Sequence, residues 1–218
     1  MQIKVFVFNP FQENTYVLYD DTRQCVIIDT GCYDRDEENE LASFIEEKKL
    51  QPVALLNTHC HVDHVFGNAF VFKRYQLIPM YHELEVPVLE AAPRICEVYG
   101  LTMEPSPEGQ PVLKDNDIFK FGNTELKMIL VPGHSPGSIC FYNEKDLTLI
   151  GGDVLFQGSI GRTDLPGGDA HTLFNSIQQR LFILPEEITV YPGHGPQTTI
   201  GYEKKYNPFL TDAASYTT

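Results

Sequence analysis

The sequence predicts an α/β fold in which sheets carry covering helices, and three observations predict it. Short β-rich runs recur with turn signals between them, apolar residues recur at helical spacing between some of those runs, and 218 residues suit one domain spanning 1–218. A domain of this size buries roughly 70 to 75% of the surface its unfolded chain exposes, enough for a sizeable core.

The runs are, in order, IKVFVF, NTYVLYD, CVIIDTG, VALLNT, LKMILVPG, SICFYN, LTLIGGD and ITVYPGH. Their β-branched and aromatic residues suit a pleated, half-buried surface. The stretch 36–49 places Leu41, Phe44 and Ile45 on one helical face, and 171–184 repeats Leu173, Phe174, Ile177, Leu181 and Phe182 at helical spacing. The acidic string DRDEENE at 34–40 reads as a solvated helix start, where negative charge suits the helix dipole. Between His82 and Pro111, five prolines interrupt the helical pattern, which predicts a helix pair and a loop lying over the sheet. No low-complexity linker divides the chain.

Composition narrows the function. Sixteen Lys plus Arg against 30 Asp plus Glu give a net charge of -14, which repels phosphate backbones and anionic membranes, so neither nucleic acid nor membrane is an expected partner. No run approaches the ~20 apolar residues that span a bilayer. MQIKVFVFNPFQENTYVLYD lacks the basic start and cleavage site of a secretory signal, so the expected location is cytoplasmic. Cys25, Cys32, Cys60, Cys96 and Cys140 are odd in number and form no CxxC pair, which argues against a disulfide framework and for buried small apolar residues.

The chemistry is concentrated where strands end. VALLNT runs into THCHVDH, which puts His59, His61, Asp63 and His64 within six residues. LKMILVPG leads to His134, LTLIGG to Asp153 and ITVYPG to His194. A strand end holds a side chain rigidly, as fixed coordination geometry requires, and the adjoining Gly133, Gly151, Gly152 and Gly193 permit close backbone approach. Five imidazoles and two carboxylates suffice for two divalent metals with open positions. With no thiolate in the set, Zn²⁺, Fe and Mn²⁺ all fit and a structural cysteine-type zinc does not. A lone histidine is ordinarily a surface or hydrogen-bonded residue, and His82 and His171 are read so. Accidental packing does not explain THCHVDH, because burying several imidazoles and a carboxylate without partners costs several kcal/mol.

At these residues the chain resembles the metallo-β-lactamase fold superfamily, whose HxHxDH motif stands here as His59 to His64. GGDVLFQGSIGRTDLPGGD and YPGHGPQTTIGYEKKYNPFL look most like the small bacterial glyoxalase II-type hydrolases. The resemblance implies an αββα sandwich, two mixed sheets face to face with helices outside. It implies one metal on His59, His61 and His134, another on Asp63, His64 and His194, with Asp153 bridging and Asp29 of VIIDTG orienting the ligands from behind. Zinc is the first expectation for the two metals. The implied reaction is thioester hydrolysis, as of S-lactoylglutathione, by attack of a metal-bridging hydroxide, with Asp63 and Asp153 as catalytic residues. The expected partner is therefore a small acyl-thiol substrate, and no protein partner is predicted.

Arg162 lies where glyoxalase II enzymes usually carry a Lys that helps bind glutathione, and its fork suits a substrate carboxylate. The bland alternative is a surface salt bridge to Asp164 or Asp169. Two departures bear on glutathione. Asp164 stands where the pattern has Tyr, and 24 residues follow His194 in place of the larger enzymes' C-terminal helical domain. A persulfide dioxygenase of the same fold, with one Fe on His61, His134 and Asp153, is the competing reading, followed by a non-catalytic metal-binding protein.

Overall fold

The computed structural model describes residues 1–211. The chain begins with three antiparallel strands, β1 (Gln2–Phe8), β2 (Glu13–Tyr19) and β3 (Gln24–Ile28), and continues through helix α1 (Arg35–Glu47) into β4 (Gln51–Leu56). Two short helices, α2 (Val62–Val65) and α3 (Asn68–Tyr75), lead to β5 (Pro79–His82). Helix α4 (Val86–Val98) and β6 (Gln110–Leu113) complete a six-stranded mixed sheet in which β3, β4, β5 and β6 are parallel.

A second six-stranded sheet follows, built from β7 (Ile118–Phe121), β8 (Thr124–Leu130), β9 (Ile139–Asn143), β10 (Thr148–Gly152), β13 (Thr189–Pro192) and β14 (Thr198–Thr199). It too is mixed, since β10 pairs parallel with β13 and antiparallel with β9. A hairpin, β11 (Leu155–Phe156) and β12 (Ser159–Ile160), and helix α5 (Ala170–Ser176) connect β10 to β13. Helices α6 (Ile200–Tyr206) and α7 (Pro208–Thr211) end the described chain.

Side-chain alternation explains the layering. In β2, Tyr16 and Leu18 join Val26, Ile28 and Leu56 of their own sheet and Leu126, Met128, Phe141 and Ile150 of the other in one core between the sheets. Val17 points the other way, with Phe6, Ile27 and Leu55, onto Leu41 and Ile45 of α1 and Val71 of α3. Across the molecule, Cys140, Leu149 and Val190 turn outward onto Leu173, Ile177 and Leu181, and onto Ile200 and Leu210. Helix, sheet, sheet, helix is the αββα order that the family resemblance implies. All five cysteines are free and buried.

Two stretches differ from expectation. The segment after His82 is not a helix pair: a single turn of 3₁₀ helix, Glu83–Glu85, runs into one helix, α4, with Pro87 in its first turn and Pro93 inside it. The prolines beyond it belong to an irregular stretch and to β6, a four-residue edge strand, where Pro111 is tolerated. The single helix expected over 171–184 changes hand-over after α5 to a π-helical turn, Ile177–Leu181, which keeps Ile177 and Leu181 on the buried face.

Candidate metal centre

Strand direction gathers the ligand candidates. The carboxyl ends of β3, β4, β8, β10 and β13 open on one edge of the sandwich, where Asp29, His59, His134, Asp153 and His194 follow them. His61 precedes α2, and Asp63 and His64 lie within it. The two sheets are stitched together at this edge. The Asn14 amide donates to the carbonyls of Pro192 and Gly195, both at 2.9 Å, and the Tyr16 hydroxyl donates to Pro192 at 2.6 Å. The Ile139 amide donates to the Thr58 carbonyl at 2.8 Å.

Four imidazoles are anchored through one ring nitrogen. Nδ1 of His134 faces the Arg162 carbonyl at 2.7 Å, and Nδ1 of His194 faces the carbonyls of Phe11 and Gln12 at 3.1 and 3.2 Å. Nδ1 of His64 lies 3.1 Å from Asp29 Oδ2. Nδ1 of His59 lies 3.0 Å from the Thr58 hydroxyl, which itself donates to Asp29 Oδ2 at 2.6 Å. Acceptors at every Nδ1 assign the proton to that nitrogen in the neutral ring and leave a lone pair on each Nε2.

Those lone pairs converge. His59 Nε2 lies 3.2 Å and His61 Nδ1 2.9 Å from His134 Nε2. On the other side, His194 Nε2 is 3.1 Å from Asp63 Oδ2, and His64 Nε2 is 3.7 Å from the same oxygen. Asp153 stands between the two groups: Oδ1 lies 3.4 Å from His64 Nε2, and Oδ2 lies 3.5 Å from His194 Nε2 and 3.6 Å from His134 Nε2.

This donor set fits divalent cations. Facing lone pairs repel one another unless a cation lies among them, and His64 Nε2 and Asp153 Oδ1 are buried without a hydrogen-bond partner among the described residues. One ligand atom each from His59, His61 and His134, and again from Asp63, His64 and His194, lie within 4.8 Å of one another. Asp29 meets the same distance limit with His59 and His64. Its oxygens, however, already accept from the Thr58 amide at 2.7 Å, the Thr58 hydroxyl and His64, so it orients ligands. Gly193 allows the crowding: a Cβ there would lie 2.1 Å from Asp153 Oδ1 and 2.7 Å from the His64 ring.

Protons respond to the same field. Burial holds His59 well below the usual imidazole pKa, and burial with His134 beside it brings His61 down to about 3. Burial also lowers His134, against the pull of Asp153. Burial opposes charge on His64 as well, but Asp153 and Asp63 outweigh it and hold its pKa well above the usual value. His194 is raised too, its bond to Asp63 overcoming desolvation. Burial alone would raise Asp63 and Asp153, yet the attraction of His64 dominates and both are lowered. Burial thus favours the neutral form in the first group, while the carboxylates favour the charged form of His64 and His194 in the second.

Three supporting residues carry no sequence signal. Fully buried Glu85, in the turn before α4, accepts from the Cys60 amide at 2.8 Å, the Ser135 hydroxyl at 2.6 Å and the Gly137 amide at 2.7 Å. It joins the loop of His59 and His61 to the loop of His134. Thr58 links Asp29 to His59. Glu13 is fully buried 3.9 Å from His64 Nδ1, and burial pushes its carboxyl pKa well up. Only contacts spanning tens of residues reveal these roles.

Other candidates fall outside the cluster. His82 Nδ1 accepts from the Leu84 amide at 3.3 Å, and His171 is exposed beside Asn175. Cys60 packs with Val62, Val65 and Cys96, away from the ligands. The exposed Arg162 side chain grips Asp164 with both arms of its fork, at 2.7 and 2.8 Å, while its carbonyl anchors His134.

Known proteins share this architecture. Residues 8–194 match the family described as the metallo-beta-lactamase superfamily. The chain is 39% identical to the probable metallo-hydrolase YqgX of Bacillus subtilis, over 92% of this chain and 93% of that one. It is 36% identical to hydroxyacylglutathione hydrolase GloC of Haemophilus influenzae, over 96% and 98%. TTHA1623, solved in a di-iron-bound form, superposes with a TM-score of 0.86 at 37% identity, covering 95% of this chain and all of that one. Two packed mixed sheets, a convergent His/Asp cluster at their shared edge and this span of likeness place the chain in the metallo-β-lactamase superfamily.

Proposed function

We propose that this protein is a binuclear metal-dependent hydrolase that cleaves thioesters of small acyl groups. The observation that carries the reading is the position of Asp153, whose carboxylate faces both donor groups at once. His59, His61 and His134 would hold one metal and Asp63, His64 and His194 the other, with Asp153 shared. Such a pair supplies a water of lowered pKa and a Lewis acid for the carbonyl oxygen.

The chain's residues do the rest. Asp63, whose side chain is 14% exposed, is placed to take the proton that the attacking water loses. Water adds its oxygen to the acyl carbon, the carbon–sulfur bond breaks, and the products are an acid and a thiol. Neutral His59, His61 and His134 present lone pairs without first losing protons. Arg162 serves as the substrate-binding candidate, because an exposed ion pair such as that with Asp164 is screened by solvent and exchanges readily for a substrate carboxylate. Zinc is our first choice for both positions, and the di-iron form of TTHA1623 makes iron the second.

Elemental analysis of protein purified without added metal or chelator, paired with thiol release from S-lactoylglutathione after loading with zinc, iron or manganese, tests the proposal. About two metals per chain with metal-dependent thiol release is the expected result. A fully loaded binuclear protein that releases no thiol from any acyl thioester overturns it. A single iron with oxygen consumption on a persulfide replaces it with the dioxygenase.

A further inference from the structure

An apolar groove of about 280 Å³ begins at the donor cluster. His61 forms one end of its lining, and Leu84, Val88, Ala91 and Ile95 from the α4 region face Pro136 and Leu165 across it. Among the described residues, no Asp, Glu, Lys or Arg lines it. In a chain of net charge -14, such an uncharged slot beside a charged cluster stands out. Leu84 and Ile95 remain 48% and 37% exposed, although both ordinarily gain by burial.

Resting on the hydrolase reading, we propose that this groove is the acyl subsite and that it selects substrates with an aliphatic acyl chain. The groove starts at His61, so a chain lying in it joins a carbonyl held at the cluster. Thioester hydrolysis develops charge at the reacting centre, on the carbonyl oxygen and on the departing sulfur. The sulfur becomes a thiolate as the carbon–sulfur bond breaks, and an apolar slot would desolvate that charge at a cost. The acyl side develops no charge along its chain, and it is therefore the side that the slot accommodates. Pro136 sits two residues past His134, and Pro166 and Gly167 lie four and five past Arg162, so the walls are fixed to the same loops that hold the ligands.

The test uses full-length, metal-loaded protein and a series of acyl thioesters of one thiol carrier, from acetyl to octanoyl. The groove predicts that kcat/KM rises about fourfold per added methylene, in line with ~0.8 kcal/mol per buried CH₂, until the slot is filled. Ala91→Phe fills the slot from an exposed helix position and should flatten that series, bringing the octanoyl kcat/KM down towards the acetyl value. Lengthening the thiol side should have no comparable effect. Calorimetric binding of hydrolysis-inert thioether ketones with the same alkyl series is read in parallel. Hydrolysis independent of chain length, or a length dependence that survives Ala91→Phe, overturns the subsite. If no thioester is hydrolysed the hydrolase reading fails, and the binding series still decides the groove: length-dependent affinity lost in Ala91→Phe supports it, and flat affinity removes it.

Discussion

Asp153 Oδ1 lies 3.4 Å from His64 Nε2, and both atoms are buried without a hydrogen-bond partner among the described residues. A buried polar atom left unpaired costs about 1 to 3 kcal/mol, so the folded chain holds unsatisfied groups where a cation would satisfy them. Metal should therefore stabilise the protein as well as activate it. At free metal a hundredfold above Kd the gain is about 2.7 kcal/mol, or roughly 5 to 10 °C in Tm for a chain of this size. Asp153→Asn keeps the shape and removes the negative charge that faces His64 and His134. We expect a much smaller rise on adding metal than the parent shows, and thioester hydrolysis at least ~100-fold slower. Thermal melts with and without chelator check this; an undiminished rise would remove Asp153 from the centre.

The two donor groups should part company with pH. His59, His61 and His134 have lowered pKa values and are neutral at pH 7, so protons compete little for them. His64 and His194 have raised values, and their protons must leave before a metal binds. A ligand whose metal-free pKa is raised loses metal affinity as the pH falls through that value, and here the window lies above the ordinary imidazole pKa of 6.5. Lowering the pH from 8 to 6 should take the protein from two metals per chain towards one, the metal at His64 and His194 leaving first. Equilibrium dialysis across that range measures the stoichiometry. Simultaneous loss of both metals would contradict the separation.

Much of this was readable in the sequence because chemistry and backbone period coincide there. Each strand run ends where the ligand begins, so THCHVDH, PGH, GGD and PGH announce both the fold and the cluster. The run NTYVLYD marks a strand, but that Tyr16 and Leu18 are covered on one face and Val17 on the other emerges only in the fold. The stretch from His82 to Gln110 was less legible. Pro93 ordinarily ends a helix, and the four residues of β6 are too short to show a period, so neither element has a local signature. Glu85 was invisible for a different reason. One Glu among 30 acidic residues has nothing to distinguish it until the fold brings Cys60 and Ser135 to its carboxylate.

Glu85 supplies the last prediction. Its two carboxylate oxygens receive three donors from two ligand loops, and burial raises its pKa although those bonds to Ser135, Cys60 and Gly137 pull the other way. Glu85→Ala leaves two buried amides unpaired, at about 1 to 3 kcal/mol each, and frees the loop of His59 and His61 from that of His134. Glu85→Gln offers one oxygen. Turned towards Ser135 and Gly137, it sets its NH₂ against the Cys60 amide, donor facing donor, so it should recover only part of the loss. Because the carboxylate positions ligands without being one, we expect metal affinity at the His59, His61 and His134 group to fall about 10- to 100-fold while the second group is less affected. Metal titration of the two variants, alongside denaturant unfolding, separates a positioning role from a purely structural one. A stability loss with both affinities unchanged would mean that Glu85 only holds the fold.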